Sequence, residues 1–298
     1  MAGGAHIPRT CRVSRSSVKR ATRHANSFGA QSSYIWKGSA RTSFQSRSHR
    51  ASTSTSPSGF FGAFAHGAAF ADGAAASAPR YAAAAPFPHI VLDGMFRPEL
   101  LRAVSAEIPS PFTERDRLGS RDVPGFQERK FFFRDAAALG PQSTFLIASL
   151  SSTPFLTYLT ALTGIAGLIP DPYLDGAGFH QIIRGGKLIV HADFNVHPIM
   201  HAYRRLNLLL YLNPNWRAEW GGDLELWPPE MRAPGAVIAP LFNRTVIFNT
   251  TDTSYHGHPH PLDCPPDVVR RSLALYYYTV ERLRPDEHST LWQELPEP

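Results

Sequence analysis

From residue 204 the chain alternates: in "RRLNLLLYLN", Leu206, Leu208, Leu210 and Leu212 take one face of an extended segment, while Arg205, Asn207, Leu209 and Tyr211 take the other. One greasy face and one mixed face predict a barrel strand that packs on helices outside and borders a polar cavity inside. The last such segment repeats the pattern, with Leu273, Leu275 and Tyr277 on one side and Ser272, Ala274 and Tyr276 on the other. Arg270 falls on the side of Ser272, where an arginine beside a hydroxyl and a small side chain leaves room for an anion.

Upstream the period is helical. "PFPHIVLDGMF" reads as a strand, and "RPELLRAVSAEIP" reads as a helix with Pro98 in its first turn and Leu100, Leu101, Val104 and Ile108 on one face. Two more helices are predicted over roughly 141–150 and 154–164, ending at Gly164 and the "IPDP" breaker. After Pro172 short extended segments follow at about 178–184, 187–193, 204–213, 223–227, 236–239, 244–249, 254–257 and 271–280. The Gly pairs at 185–186 and 221–222 read as hairpin or loop signals, because neither leads into a helix. Strands at this spacing, led by helices, predict a mainly β (α+β) fold, a jelly roll with the N-terminal helices on its outer face.

Composition changes the picture at the N-terminus. The formal charge is +6, yet ten Lys and Arg precede the first acid, Asp72, and from residue 73 the count is 20 basic to 23 acidic. The remainder is slightly negative, which removes most of the case for a nucleic-acid partner, and none is expected. Residues 1–56 hold thirteen serines and no acid, the composition of an organelle transit peptide for a mitochondrion or plastid. Read as an untargeted tail, the same leader leaves the protein cytoplasmic, and a secretory reading of 59–71 fails on the length of what precedes it. Residues 59–85 are Gly- and Ala-rich with four phenylalanines, and low complexity argues against packed structure before residue 86. The expected division is a leader, 1–85, and one domain, 86–298. No apolar run is long enough for a membrane span. Cys11 and Cys264 offer neither a disulfide framework nor a cysteine metal site.

"HADFNVHP" carries the candidate chemistry. Residues i and i+2 of a strand project to one side, so His191 and Asp193 can converge on one ion. "FNTTDTSYHGHPHPLDC" offers His256, His258 and His260 as a third ligand, and Pro259 and Pro261 break the extended path around His260. Two histidines and one carboxylate leave open positions of the kind found at non-haem iron(II) centres, whereas a structural zinc site closes all four. Arg204 and Arg205 read as a solvated strand start, with Arg205 sharing the inner face of Asn207 and Tyr211. Trp216, Trp220 and Trp227 read as packing around a barrel rim.

In order along the chain, "HADFNVHP", "RRLNLLLYLN", "EWGGDLELW", "FNRTVIFNTTDTSYHGHP" and "RRSLALYYYT" resemble the 2-oxoglutarate and iron(II)-dependent oxygenases of the prolyl 4-hydroxylase type, over about residues 86–280. The resemblance implies a double-stranded β-helix with His191, Asp193 and His256 as iron ligands. It implies that Tyr211, Arg270 and Ser272 bind the distal carboxylate of 2-oxoglutarate, with Arg271 pointing outward. It also places His180 or Gln181 near the iron-bound end of the cosubstrate, and Gln181 is taken as the binding residue. The implied activity is hydroxylation of a C–H bond using iron(II), 2-oxoglutarate and O2, supported by ascorbate. A prolyl residue in a protein or peptide is the first substrate expected, with a free amino acid or other small metabolite as the alternative. The reading from another class is a jelly roll that holds a metal and a ligand without catalysis; a carboxylate clamp beside the triad weighs against it.

Overall fold

The computed structural model describes residues 62–65, 69–280, 287–293 and 295. In chain order the elements are α1 (Ala69–Ala82), β1 (His89–Asp93), α2 (Pro98–Glu107), β2 (Gly119–Ser120), β3 (Gln127–Phe133), α3 (Pro141–Leu150) and α4 (Thr153–Thr163). Then come β4 (Ile169–Pro170), β5 (Gly178–Ala192), β6 (Tyr203–Tyr211), β7 (Leu224–Trp227), β8 (Ala236–Ile238), β9 (Arg244–Asn249), β10 (Tyr255–His258), β11 (Val269–Thr279) and β12 (Leu291–Trp292). Pro at the start of α2, α3 and α4 suits a first turn whose N–H would be orphaned anyway, and Gly164 ends α4 in the left-handed conformation at φ 72°.

The strands pair antiparallel in the order β1-β9-β6-β11-β5-β10-β7-β8, a curled sheet that forms the double-stranded β-helix, with the N-terminal helices packed against it. Leu206, Leu208, Leu210 and Leu212 join Leu273, Leu275 and Tyr277 in one buried cluster with Leu101, Val104, Leu146, Phe155 and Leu159 of the helices. Each fully buried leucine contributes about 1.5–3 kcal/mol relative to an exposed one. The hydroxyl of Tyr277 donates to the Leu150 carbonyl at 3.0 Å and fixes α3 to β11. The opposite face of β6 and β11 lines the cavity with Asn207, Leu209, Tyr211, Ser272 and Tyr276.

Two expectations are corrected by β5. Residues 178–192 form one strand, not two, and Gly185-Gly186 is not a hairpin. The first half pairs with β11 and the second half with β10, so the glycine pair is where the chain crosses from one layer to the other. Gly185 has φ +77°, and a Cβ on Gly186 would lie 2.5 Å from Ile182 Cγ2. Only glycines allow that crossover at this separation. The segment "QERKFFF" carries no strand alternation, yet as β3 it covers the outer edge of β5.

A further correction concerns the start of packed structure. Ala63, Phe64, Ala74 and Tyr81 are buried in the main cluster, although they precede residue 86. Phe64 packs 5.2 Å from Phe96 and 6.1 Å from Phe155, and the Tyr81 hydroxyl donates to Asn249 Oδ1 at 2.6 Å. Alanine-rich sequence is low in complexity but high in helix propensity, and its small side chains let α1 approach α4 closely. The Ser- and Arg-rich stretch 1–56 lies outside the described residues. Among the described residues no single helix is long and apolar enough to cross a membrane; the bent pair α3–α4 passes on length and composition together, with its inner face buried in the core.

Candidate metal centre

His191, near the end of β5, is the cross-strand partner of His256 on β10, and Asp193 follows one residue beyond β5. Antiparallel partners face the same side, so pairing alone brings the two imidazoles together, with ring centroids 4.6 Å apart. His191 Nε2 lies 3.5 Å from Asp193 Oδ1 and His256 Nε2 lies 3.4 Å from Asp193 Oδ2. One ligand atom from each falls within 4.8 Å of the others. Each histidine turns its other nitrogen to a carbonyl two residues back, His191 Nδ1 to Ile189 O at 2.8 Å and His256 Nδ1 to Ser254 O at 3.0 Å. As an N–H donor there, Nδ1 leaves Nε2 with its lone pair aimed at the centre.

Burial pushes the His256 imidazole down to about 4 despite the pull of Asp193. Burial alone would raise the Asp193 carboxyl, but Arg204, His256 and His191 beside it hold it well below the usual range. At neutral pH the group is therefore a neutral imidazole and a carboxylate, the states that bind metal. Two imidazole nitrogens and one carboxylate suit iron(II) with positions left open, so the residues fit the ion.

Arg204 is the main correction at the site. It does not begin a solvated strand: it is buried, with Nη2 2.9 Å from Asp193 Oδ2 and Nε donating to Asn207 Oδ1 at 2.9 Å. Asn207 Nδ2 donates to Asp193 Oδ2 at 2.7 Å. The guanidinium carbon stacks 3.4 Å from the Tyr276 ring centroid and 4.8 Å from that of Phe194. The cause is an irregularity in pairing, where Tyr277 faces Leu206 but Tyr278 faces Arg204, skipping Arg205. A bulge reverses the alternation beyond it. Arg205 instead donates to Thr279 Oγ1 at 3.1 Å.

The cavity around the triad has a volume of about 870 Å³, and Tyr211, Arg270, Ser272, His180 and His258 all line it. Arg270 is buried; its Nε donates to the Gly222 carbonyl at 2.7 Å and its Nη2 lies 3.5 Å from the Tyr211 hydroxyl. Gly222 has φ +77°, and a Cβ there would sit 2.5 Å from Leu262 Cδ2 and 3.0 Å from Arg270 Cδ. The second glycine pair is thus a loop that seats the arginine. Arg271 points away, its Nε donating to Gln181 Oε1 at 3.0 Å. Arg271 thus lies as expected, whereas the expectation for Gln181 is corrected. Its side chain is fully buried on the outer side, where Nε2 donates to Pro109 O at 2.8 Å, and His180 takes the cavity face.

His258 also faces the cavity, 3% exposed, with neither ring nitrogen hydrogen-bonded to a described residue. A buried imidazole without a partner marks space that a polar ligand fills. His260 is exposed, 3.7 Å from Glu225. Trp216 and Trp220 pack edge to face at 5.2 Å, and Trp227 donates to Glu225 Oε2 at 2.8 Å. Three contributors had no clear signal in the sequence: Lys130 on β3, Phe194 beside Arg204, and the segment 287–292, where β12 pairs with Ala192 and His191 and Trp292 packs 5.1 Å from the His191 ring.

The fold and the triad are those of an iron(II)- and 2-oxoglutarate-dependent dioxygenase. The family described as the 2OG-Fe(II) oxygenase superfamily matches residues 177–278, the span from just before β5 to near the end of β11. No curated protein matches the chain. Among solved structures, a Trichoplax adhaerens prolyl hydroxylase in complex with a hypoxia inducible factor peptide fragment is similar at 15% identity, covering 70% of this chain and 89% of that one, with a TM-score of 0.49. A Pseudomonas putida prolyl-4-hydroxylase is similar at 16% identity, 69% and 98% coverage and a TM-score of 0.49. HygX from Streptomyces hygroscopicus, with nickel, 2-oxoglutarate and hygromycin B bound, is similar at 14% identity, 64% and 82% coverage and a TM-score of 0.42.

Proposed function

We propose that this chain hydroxylates a C–H bond of a prolyl residue, with His191, Asp193 and His256 holding iron(II) and Arg270, Tyr211 and Ser272 receiving the distal carboxylate of 2-oxoglutarate. The observation that carries this reading is the shared cavity, which the triad lines together with a buried arginine hydrogen-bonded to a carbonyl and lying beside the Tyr211 hydroxyl. Iron(II) with 2-oxoglutarate and O2 supplies oxidative decarboxylation to succinate coupled to hydroxylation, and ascorbate keeps the metal reduced. The protein's part is positioning. Arg204 and Asn207 orient the Asp193 carboxylate, the Ile189 and Ser254 carbonyls fix the imidazoles, and the Arg270 guanidinium presents its outer N–H groups to a carboxylate in a dry setting.

A compact substrate, such as a free amino acid, is the second reading. The edge of β5 beside His191 is occupied by β12, and Gln293 N donates to Val190 O at 2.9 Å, so an extended polypeptide cannot pair with that edge. For the leader, 1–56, we propose an organelle destination, tested by following a leader–fluorophore fusion in cells.

The experiment is anaerobic loading of the full chain with iron(II), then titration with 2-oxoglutarate while watching the visible charge-transfer band of a chelated keto acid. A band in the wild type that weakens in Asp193→Ala and Arg270→Ala supports the reading. Iron binding without a band would leave a metal-holding barrel. Mass spectrometry of prolyl peptides and of free proline, each incubated with the loaded enzyme, then separates the two substrate readings by which gains oxygen.

A further inference from the structure

Strand β3 lies outside the barrel's own strands, yet its pairing sets a lysine among the cavity residues. Lys130 is the cross-strand partner of Ile182, and Ile182 is the partner of Arg270; one step along, Phe132 faces His180, His180 faces Ser272 and Ser272 faces Tyr211. Partners in such rows project to one side of the sheet. With strands about 4.8 Å apart, Lys130 and Arg270 are roughly 10 Å apart at their Cα atoms, within reach of one small dicarboxylate held between long side chains.

The charges in this space are unequal in one respect. Arg204 is matched by Asp193 at 2.9 Å and Arg134 by Asp175 at 2.8 Å. Lys130 has only the amide oxygen of Gln127, 3.4 Å from its Nζ, and among the described residues no carboxylate lies within ion-pair distance of it. Burial pushes its ammonium down to about 8, opposed by Asp193 and reinforced by Arg270 and Arg204. His258, unpartnered at both nitrogens, faces the same cavity and feels the charges of Arg270 and Lys130. Lys130 and Arg270, with no ion pair between either and a carboxylate among the described residues although Asp193 and Asp223 act on them from further off, stand beside an orphaned imidazole in a site that can take the charge of a dianion.

We propose that Lys130 is a second cationic contact for the 2-oxoglutarate dianion, supplied by a strand outside the barrel to the cavity that the triad and Arg270 share. The inference rests on the proposed function. It makes β3 part of the cosubstrate site and gives cosubstrate binding a dependence on pH. The ionisable groups that face Lys130 are Asp193, Arg204, Arg270, His180 and His258. Burial lowers both of these histidines well below their usual value and the Asp193 carboxyl is held low, so among these five groups and the lysine, the lysine is the one that changes charge between pH 7 and 9.

The test is calorimetric titration of the full chain, loaded with manganese(II) to prevent turnover, with 2-oxoglutarate at pH 7 and pH 9. Wild type is expected to bind more weakly at pH 9. Lys130→Met should weaken binding about 10- to 100-fold at pH 7 and remove most of the change with pH, the size of a lost charge-assisted hydrogen bond. Lys130→Arg should bind well at both pH values, because the guanidinium does not titrate there. Unchanged affinity in Lys130→Met with manganese binding intact overturns the proposal and leaves the lysine to another ligand. If Lys130→Met fails to hold manganese, equal pH dependence in wild type and Lys130→Arg overturns it instead. Absence of 2-oxoglutarate binding in wild type is a different result, for it overturns the proposed function along with the inference.

Discussion

Arg204 Nη2 lies 2.9 Å from Asp193 Oδ2, so the carboxylate of the triad is tied from behind by a cation that does not face solvent. Asn207 reaches the same oxygen, and Tyr276 and Phe194 hold the guanidinium between their rings. Removing such an orienting partner typically lowers metal affinity 10- to 100-fold. Arg204→Gln is therefore expected to weaken iron(II) or cobalt(II) binding by about that factor, measured by competition with a chelating dye. Lysine is a poor replacement, since it cannot stack between two rings and bond Asn207 as well.

Arg270 and Gly222 form a second linked pair. Arg270→Ala should weaken 2-oxoglutarate binding by about 2–5 kcal/mol, read from the charge-transfer titration. Gly222→Ala tests the seat. With φ +77° and contacts of 2.5 Å and 3.0 Å awaiting a Cβ, it should destabilise the fold by about 1–3 kcal/mol in urea and also weaken 2-oxoglutarate binding. Binding equal to wild type would mean that the loop relaxes without moving the arginine.

Much of this architecture could be read from periodicity, because the elements that pack on one face announce themselves. The leucines of β6, the helical face of α2 and the ends of α3 and α4 fall where alternation and Gly or Pro signals put them. What escaped were features set by contact between distant segments. The sequence of β3, "QERKFFF", has no clean alternation, and its pairing with β5 slips between Glu128 and Lys130, around the exposed Arg129. The bulge opposite Arg205 is a property of two strands, invisible in either one, and it decides that Arg204 faces the triad. Gln181 went the other way for a simple reason: with period two, one of two neighbours faces in, and only the pairing of β5 with β11 says which.

The packing of residues before 86 gives a third test. Phe64 is 2% exposed and Tyr81 1%, both within the main cluster. Phe64→Ala should cost about 3–5 kcal/mol of unfolding free energy, as other buried phenylalanines do. A chain begun at residue 86 should unfold at much lower urea than one begun at residue 57, and the midpoints of the two unfolding curves check this directly. Equal midpoints would mean that α1 rests on the core without contributing to it.

Acid is expected to destabilise the metal-free protein earlier than carboxylate titration alone would. Burial lowers His180 and His258 well below their usual value and His256 to about 4. An unfolded chain protonates these imidazoles near their ordinary value of about 6.5, whereas the folded chain resists until lower pH. The unfolded state thus binds more protons over this range, and linkage makes stability fall with pH. The contribution is fully present above about 6.5 and is lost as pH falls toward the folded values, at up to about 1.4 kcal/mol per pH unit for each histidine. Asp193, also held low in the folded state, adds loss in the same direction below about pH 4. Urea midpoints measured in chelator at pH 7.5, 6.5, 5.5 and 4.5 should drop steadily from pH 6.5 downward. In His258→Phe, which fills the site without a titrating group, the drop should be shallower by one histidine's share. Bound metal should steepen the low-pH loss further, because protons then compete with the ion for His256.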